Sequence, residues 1–376
     1  MNNTLAVISF SDIQSDSRVL RQLSALSPYY HVVTVGYGPK PAHASFHFEV
    51  SRKHSKISKL VALFSLLLRQ FNSFYSLWFD EINVLNFLVE YNVDLLILND
   101  ATAWPLAKSV VNCSSIFDAH EYTPGELSDS IFWNLFLRPF KLWCSSFIDY
   151  SSIRFCVESR LCQYWQDFVS LDFKCLPNTS EFVHPARVSA NPSYPLRVLH
   201  HGIAHPSRRI ELMLDAVSLA GPNFVGYFYL KTANPKYFRF LSRKATELSA
   251  YVFPPVDQSD LISLGHSFDI GLISIFPSNI NYRFCLPNKL FQFIQSRLPI
   301  VCGPTPSIAE IVLRYKIGVV ASDFSPASLS RALQSISPDD IIEMRRNLEI
   351  AARELCWDND KIILVDAVDS VLNSRI

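Results

Sequence analysis

Residues 94–122 read DLLILNDATAWPLAKSVVNCSSIFDAHEY. Two short apolar runs, Asp94–Leu98 and Ser115–Asp118, flank a helical pattern over Trp104–Val111. Apolar runs of four to six residues, each tied to the next by a helix, indicate parallel strands buried on both faces. Both runs end in polar groups, Asn99-Asp100 and His120-Glu121, which places those side chains at the carboxyl edge of the sheet.

The same alternation extends outward. Leu5–Phe10, His31–Gly36, Arg154–Val157 and Lys174–Leu176 read as further strands, and Arg18–Leu26, Ile131–Phe147 and Ser159–Phe168 as helices. Residues 177–195 carry four prolines and few aliphatics, a break in the series. A second series then runs from Leu196–His200 through Val225–Leu230, Tyr251–Phe253, Asp269–Ile275 and Ile300–Cys302 to Gly318–Ala321, with helices between. The expected fold class is α/β: two tandem doubly wound (Rossmann-like) domains with an interdomain cleft. The expected division is an N-terminal domain over 1–177, a linker over 178–195, a C-terminal domain over 196–356 and a final helix over 357–376 crossing back to the first domain.

The 376 residues are 49% hydrophobic, and 34 Lys+Arg balance 34 Asp+Glu. That neutrality argues against a nucleic-acid partner, and the apolar content argues against disorder. The eight cysteines form no CxxC pair and read as reduced core thiols. No basic leader precedes the first strand, and the longest apolar stretch falls well short of the roughly twenty residues of a spanning helix. A cytoplasmic protein is expected. Segments 57–79 and 131–147, rich in Leu, Phe and Trp, read either as half-buried helices or as a peripheral contact with the inner face of a membrane.

The chemistry-bearing motifs lie at strand ends. No GxGxxG or P-loop follows any strand, so an ordinary dinucleotide or mononucleotide site is not expected. In FSDIQSDSRVLRQL (10–23), Asp16 or Ser17 caps a helix whose first N–H groups face the strand ends, with Arg18 beside them. Asp358-Asn359-Asp360 spells DxD in a helical segment without a preceding strand. His200, His201 and His205 lack partners at zinc-like spacing and read as strand-end loop residues. No metal site is expected.

These segments resemble the retaining, GT-B-fold glycosyltransferases of the glycogen-synthase-like (glycosyltransferase group 1) superfamily. Asp118-Ala119-His120-Glu121-Tyr122 is nearly verbatim the family's "DAHEY". VLHHGIAHPSRRIELMLDA (198–216) resembles its glycine loop, basic residue and helix. RFCLPNKLFQFIQSRLPIVCG (283–303) resembles its "LPNKLFEYMAAGLPVV". The resemblance implies catalytic roles for His120, Arg208 and Lys289, and donor contacts from Gly202, Asn288, Leu290, Gln292 and Glu310. Asp16, Arg18, Asp100 and Glu121 fall on the acceptor side. Gln292 replaces the family's ribose-binding Glu, Phe284 the first carboxylate of its E-x(7)-E pair, and Asn99 its His.

The implied activity is hexosyl transfer from a nucleotide diphosphate-sugar to a glycan or lipid-linked acceptor, with retention, in cell-surface polysaccharide synthesis. No cofactor or metal is expected, because Arg and Lys can hold the departing diphosphate. The alternatives are a nucleotide-sugar 2-epimerase of the same fold, disfavoured by the missing carboxylates, and a catalytically inactive GT-B subunit.

Overall fold

The structure is a computed structural model that describes residues 3–52, 54–110, 113–126, 131–184, 192–248 and 250–374. They form two compact units, Met1–Pro177 with Asp360–Ile376, and Asn178–Asn359.

In the first unit the elements run β1 (Thr4–Asp12), α1 (Ser17–Leu26), β2 (His31–Tyr37), β3 (Phe46–Glu49), α2 (Lys56–Leu67), α3 (Phe71–Trp78) and α4 (Glu81–Glu90). There follow β4 (Leu95–Asn99), α5 (Leu106–Ser109), β5 (Ser114–Ala119), α6 (Arg138–Ser145), β6 (Ile153–Cys156), α7 (Ser159–Val169) and β7 (Lys174–Cys175). Val111, the expected end of the helix after β4, lies outside the described residues. The seven strands are parallel in the order β3-β2-β1-β4-β5-β6-β7. Chain order reverses between β1 and β4, the position beside which doubly wound sheets bind ligands. Strand β3 has no counterpart in the sequence reading; its Phe-His-Phe-Glu is a short edge ribbon pairing only with β2.

The second unit holds β8 (Leu196–Ile203), α8 (Ile210–Ala220), β9 (Phe224–Lys231), α9 (Pro235–Thr246), β10 (Ala250–Phe253), α10 (Leu261–Gly265), β11 (Ile270–Ile273) and α11 (Ile280–Arg283). It continues with α12 (Asn288–Gln295), β12 (Ile300–Cys302), α13 (Pro306–Tyr315), β13 (Gly318–Val320), α14 (Pro326–Gln334) and α15 (Pro338–Glu354), and only the first three residues of the last helix, α16 (Trp357–Asn373), belong to it. Its six parallel strands are ordered β10-β9-β8-β11-β12-β13, and the reversal lies between β8 and β11. Successive strand residues face opposite sides. Leu196 and Val198 of β8 therefore enter one core with α8, α9 and α14, while Leu199 enters the other with α12, α13 and α15. Strands β11 and β12 split in the same way, Leu272 and Val301 to the first core and Ile273 and Cys302 to the second.

The proline-rich stretch is anchored where it is described. Phe182 N donates to Asp358 Oδ2 at 2.9 Å, Val183 N to Gln295 Oε1 at 3.0 Å, and Trp357 N to Ser180 O at 2.8 Å. Its residues 185–191 lie outside the described residues, as do 375–376 of the final helix. From Asp360 onward α16 belongs to the first unit, where Tyr30 Oη donates to Asp369 at 2.5 Å. None of the eight cysteines is in a disulfide, and five of them are buried. Among the described residues no helix is long and apolar enough to cross a membrane.

The two aromatic segments behave differently from each other. Trp143 is half-buried in a cluster with Phe140 at 5.8 Å, Phe147 at 5.0 Å and Phe71 and Tyr75 at 5.9 Å. It is a packing residue. Helix α2 instead buries only Ala62, Ser65 and Leu66.

Candidate functional site

In the first unit the polar groups at the ends of β4 and β5 form one chain of hydrogen bonds. Arg18, read above as lying near the strand ends, is buried on α1 and unavailable to a ligand. Its Nε and Nη2 hold Asp118 at 2.7 and 2.6 Å, a bidentate pair with both partners buried. Burial alone would raise the Asp118 carboxyl, but the Arg18 charge and its hydrogen bonds win and hold it below the usual carboxylate range. Gln22 Nε2 donates to Asp118 Oδ2 at 2.5 Å, Asn99 Nδ2 donates to Gln22 Oε1 at 3.0 Å, and His120 Nε2 lies 3.1 Å from Asn99 Oδ1. Because Asn99 uses its amide N–H on Gln22, its oxygen faces the ring and accepts from His120 Nε2–H. On the other edge Nδ1 stands 3.5 Å from Asp100 Oδ2.

His120 is thus oriented from both sides by side chains of its own unit. A substrate hydroxyl reaching it would share a nitrogen with Asn99 or Asp100. Asp100 adopts φ 61°, leaves about half its side chain in solvent, and accepts from His120 N at 3.2 Å. Glu121 is exposed just beyond, and its carbonyl accepts from Trp165 Nε1 at 3.2 Å. Asp16 caps α1, accepting from Arg18 N and Val19 N, and is itself held by Ser11 Oγ at 2.8 Å. The structural members that motif reading missed are Asp118 and Gln22. Asp118 lay inside DAHEY, but its partner stands 100 residues away.

In the second unit His200 and His201 lie inside β8 and are buried, not in a loop. His200 Nδ1 bonds Leu272 O at 2.9 Å, so it carries the proton and Nε2 is left as an acceptor. Lys289 Nζ stands 3.4 Å from that Nε2 and donates toward it. Burial and the Lys289 charge hold His200 well below the ordinary imidazole range and His201 at about 3, so both rings stay neutral.

Gly202, next to last in the strand, has φ +135°, and a Cβ there would sit 2.9 Å from Lys289 Nζ. The ammonium therefore occupies space that only a glycine leaves free. Arg208 lies in the single turn Pro206–Arg208 before α8, and its guanidinium covers the Tyr282 ring at 4.6 Å. Arg209 takes the left-handed conformation at φ 48° and stacks on Phe276 at 4.4 Å.

Burial first, and then the Arg208 charge, lower Lys289 from 10.5 to about 7. Lys289 shows no carboxylate partner among the described residues. A lysine and an arginine close enough to repel, without a neutralising anion, are a ready anion site.

The remaining candidates divide. Asn288, first residue of α12, accepts from Asn178 Nδ2. Leu290 does not face a ligand: its side chain is in the core and its N–H bonds Pro287 O at 2.9 Å. Gln292 is buried on the next turn. Glu310 is on the exposed side of α13. Among the described residues no group of three His, Cys, Asp or Glu side chains could hold a metal ion, and Asp358 of the DxD is taken up by Phe182 N.

No protein-family model and no curated protein matches the sequence. Solved structures do match in shape. Sucrose-phosphate synthase from Thermosynechococcus elongatus aligns over 99% of this chain and 100% of its own, with a TM-score of 0.74 at 12% identity. Anabaena HepE in complex with UDP and glucose aligns over 98% and 100%, at 0.73 and 13%. The E. coli trehalose-6-phosphate protein bound with UDP-2-fluoro glucose aligns over 97% and 98%, at 0.70 and 12%. At such identities the likeness is one of fold: this chain has the GT-B architecture, two Rossmann-like α/β domains in tandem.

Proposed function

We propose that the chain is a glycosyltransferase taking its sugar from a nucleoside diphosphate donor. The observation that carries this is the crowded pair Arg208 and Lys289 beside Gly202, at the strand reversal of the second unit. A diphosphate supplies the missing negative charge, and it gains more as the sugar–oxygen bond breaks. Two of the structural neighbours hold UDP or a UDP-sugar analogue, which supports the same ligand class here.

The chemistry follows from fixed charges. Lys289, steered by neutral His200, and Arg208, flattened on Tyr282, receive the departing diphosphate without a metal. The acceptor hydroxyl loses its proton to the leaving phosphate oxygen on the same face of the sugar, which gives retention. In the first unit His120, held by Asn99 and Asp100, is the catalytic histidine of this reading. The acceptor is a glycan or a lipid-linked saccharide of the cell surface, met at the cytoplasmic side of a membrane.

A thermal-shift panel of nucleoside diphosphates, followed by donor turnover in excess EDTA, tests this. A ligand at 100 times its Kd stabilises the fold by about 2.7 kcal/mol. Binding without nucleoside diphosphate release would identify an inactive subunit, interconversion of free donor an epimerase, and loss of turnover restored by magnesium a metal-dependent enzyme. Absence of any shift overturns the proposal.

A further inference from the structure

We propose that the exposed face of α2 docks this protein on a membrane surface carrying anionic lipid. Ile57, Leu60, Val61, Phe64, Leu67 and Leu68 are all exposed, Ile57 by 76% and Leu68 by 66%. Their spacing, i, i+3, i+4, i+7, i+10 and i+11, gathers them on one side of the helix, away from buried Ala62, Ser65 and Leu66. A helix apolar on every side belongs in a core, yet this one meets the protein with one narrow stripe. Contiguous exposed apolar surface of this kind marks an interaction site. The patch continues onto the segment that α2 packs against, where Ile131 is 76% exposed and Phe132 and Leu135 are also exposed.

The charges choose the occupant. From Val50 to Phe79 the chain has no Asp or Glu, while Arg52, Lys53, Lys56, Lys59 and Arg69 are basic. Lys56, Lys59 and Arg69 are exposed on or beside α2. A second copy would bring the same basic rim against this one, and the two would repel. An anionic bilayer offers both requirements: headgroups for the cations and an acyl boundary for the apolar stripe. The twelve residues of α2 make about 18 Å of helix, too short to span, so it lies in the plane of the surface. The surface belongs to the first unit alone, and its argument is independent of the transfer reaction.

The test is co-sedimentation of the full chain with vesicles of phosphatidylcholine alone or mixed with phosphatidylglycerol. The chain is expected to sediment with the mixed vesicles, less so at high salt. Leu60→Asp/Phe64→Asp, altering two exposed side chains, should weaken partitioning roughly tenfold or more, and so should Lys56→Glu/Lys59→Glu. Both variants should keep the parental melting temperature and nucleoside diphosphate response, which separates this proposal from the fate of the catalytic one. A parent that stays in the supernatant, or variants that sediment like the parent, overturn it. So does a parental dimer that Leu60→Asp/Phe64→Asp dissociates without any vesicle binding.

Discussion

Replacing Gly202 by alanine is the most discriminating single change at the proposed phosphate site. The added Cβ meets Lys289 Nζ at 2.9 Å and Cε at 3.4 Å, and φ +135° is a conformation alanine adopts only under strain. The strain costs of order 1–3 kcal/mol of stability. The clash is relieved differently, because its partner is the free end of a flexible side chain: the ammonium swings away and the fold survives. What is lost is a charge-assisted bond to the ligand, about 1.5–3 kcal/mol, or roughly tenfold to a hundredfold in Kd. Gly221 supplies the control. It has φ +90° with nothing within 4 Å of its would-be Cβ, so Gly221→Ala carries backbone strain without touching Lys289. Calorimetric titration with a nucleoside diphosphate should show weakened binding for Gly202→Ala and parental binding for Gly221→Ala, with both melting earlier. Lys289→Ala should add little to Gly202→Ala, the mark of a shared contact. Parental affinity in Gly202→Ala, or equal loss in both glycine variants, would refute the reasoning.

Since Lys289 loses its proton near pH 7 in the free protein and a diphosphate restores it, binding should take up a proton above that pH. Affinity should then fall by up to about tenfold per pH unit above 7, read from titrations in buffers of different ionisation heat, and Lys289→Ala should abolish the slope. In the same window the unfolded chain holds a proton that the folded chain has released. The unliganded fold should therefore gain stability as pH rises from about 7 toward 10.5. Arg18→Leu strands Asp118 as a buried charge and should cost about 3–5 kcal/mol in urea unfolding, whereas a loss below about 1 kcal/mol would show the pair to be dispensable. His120→Ala should lower turnover by roughly 10²-fold with little change in melting temperature; the reverse pattern would make it a structural histidine.

Much of the fold was legible because its signal is local. An apolar run such as Leu95–Leu98 and a periodic helix such as Arg18–Leu26 announce themselves within a few residues. Strand β3 was not, since Phe46–Glu49 is short and takes its shape from pairing with β2. The candidate site rests on motif residues that the sequence singled out, His120, Gly202 and Lys289, and what surrounds them was obscure. The Arg18–Asp118 and Lys289–His200 contacts join residues 100 and 89 apart, which no local pattern encodes. His200 and His201 read as loop residues because imidazoles rarely extend an apolar strand, and it is the carbonyl of Leu272 and the rings of Phe228 and Phe293 that receive them. Trp143 carried the sequence signature of an interfacial anchor, but its neighbours Phe71 and Tyr75, on another helix, claim it for packing.

The alternation of β8 constrains how this protein can change over evolutionary time. Val198 and Leu199 feed separate cores, and His200 and Gly202, along the same ribbon, steer and accommodate Lys289. One residue inserted before His200 would exchange the two faces and move the imidazole off the lysine in a single event. Substitutions can retune the pocket one side chain at a time, but length changes in this strand are closed to it. Novelty in ligand choice must therefore enter through the segment that follows the strand, His205–Arg209, whose residues belong to neither core.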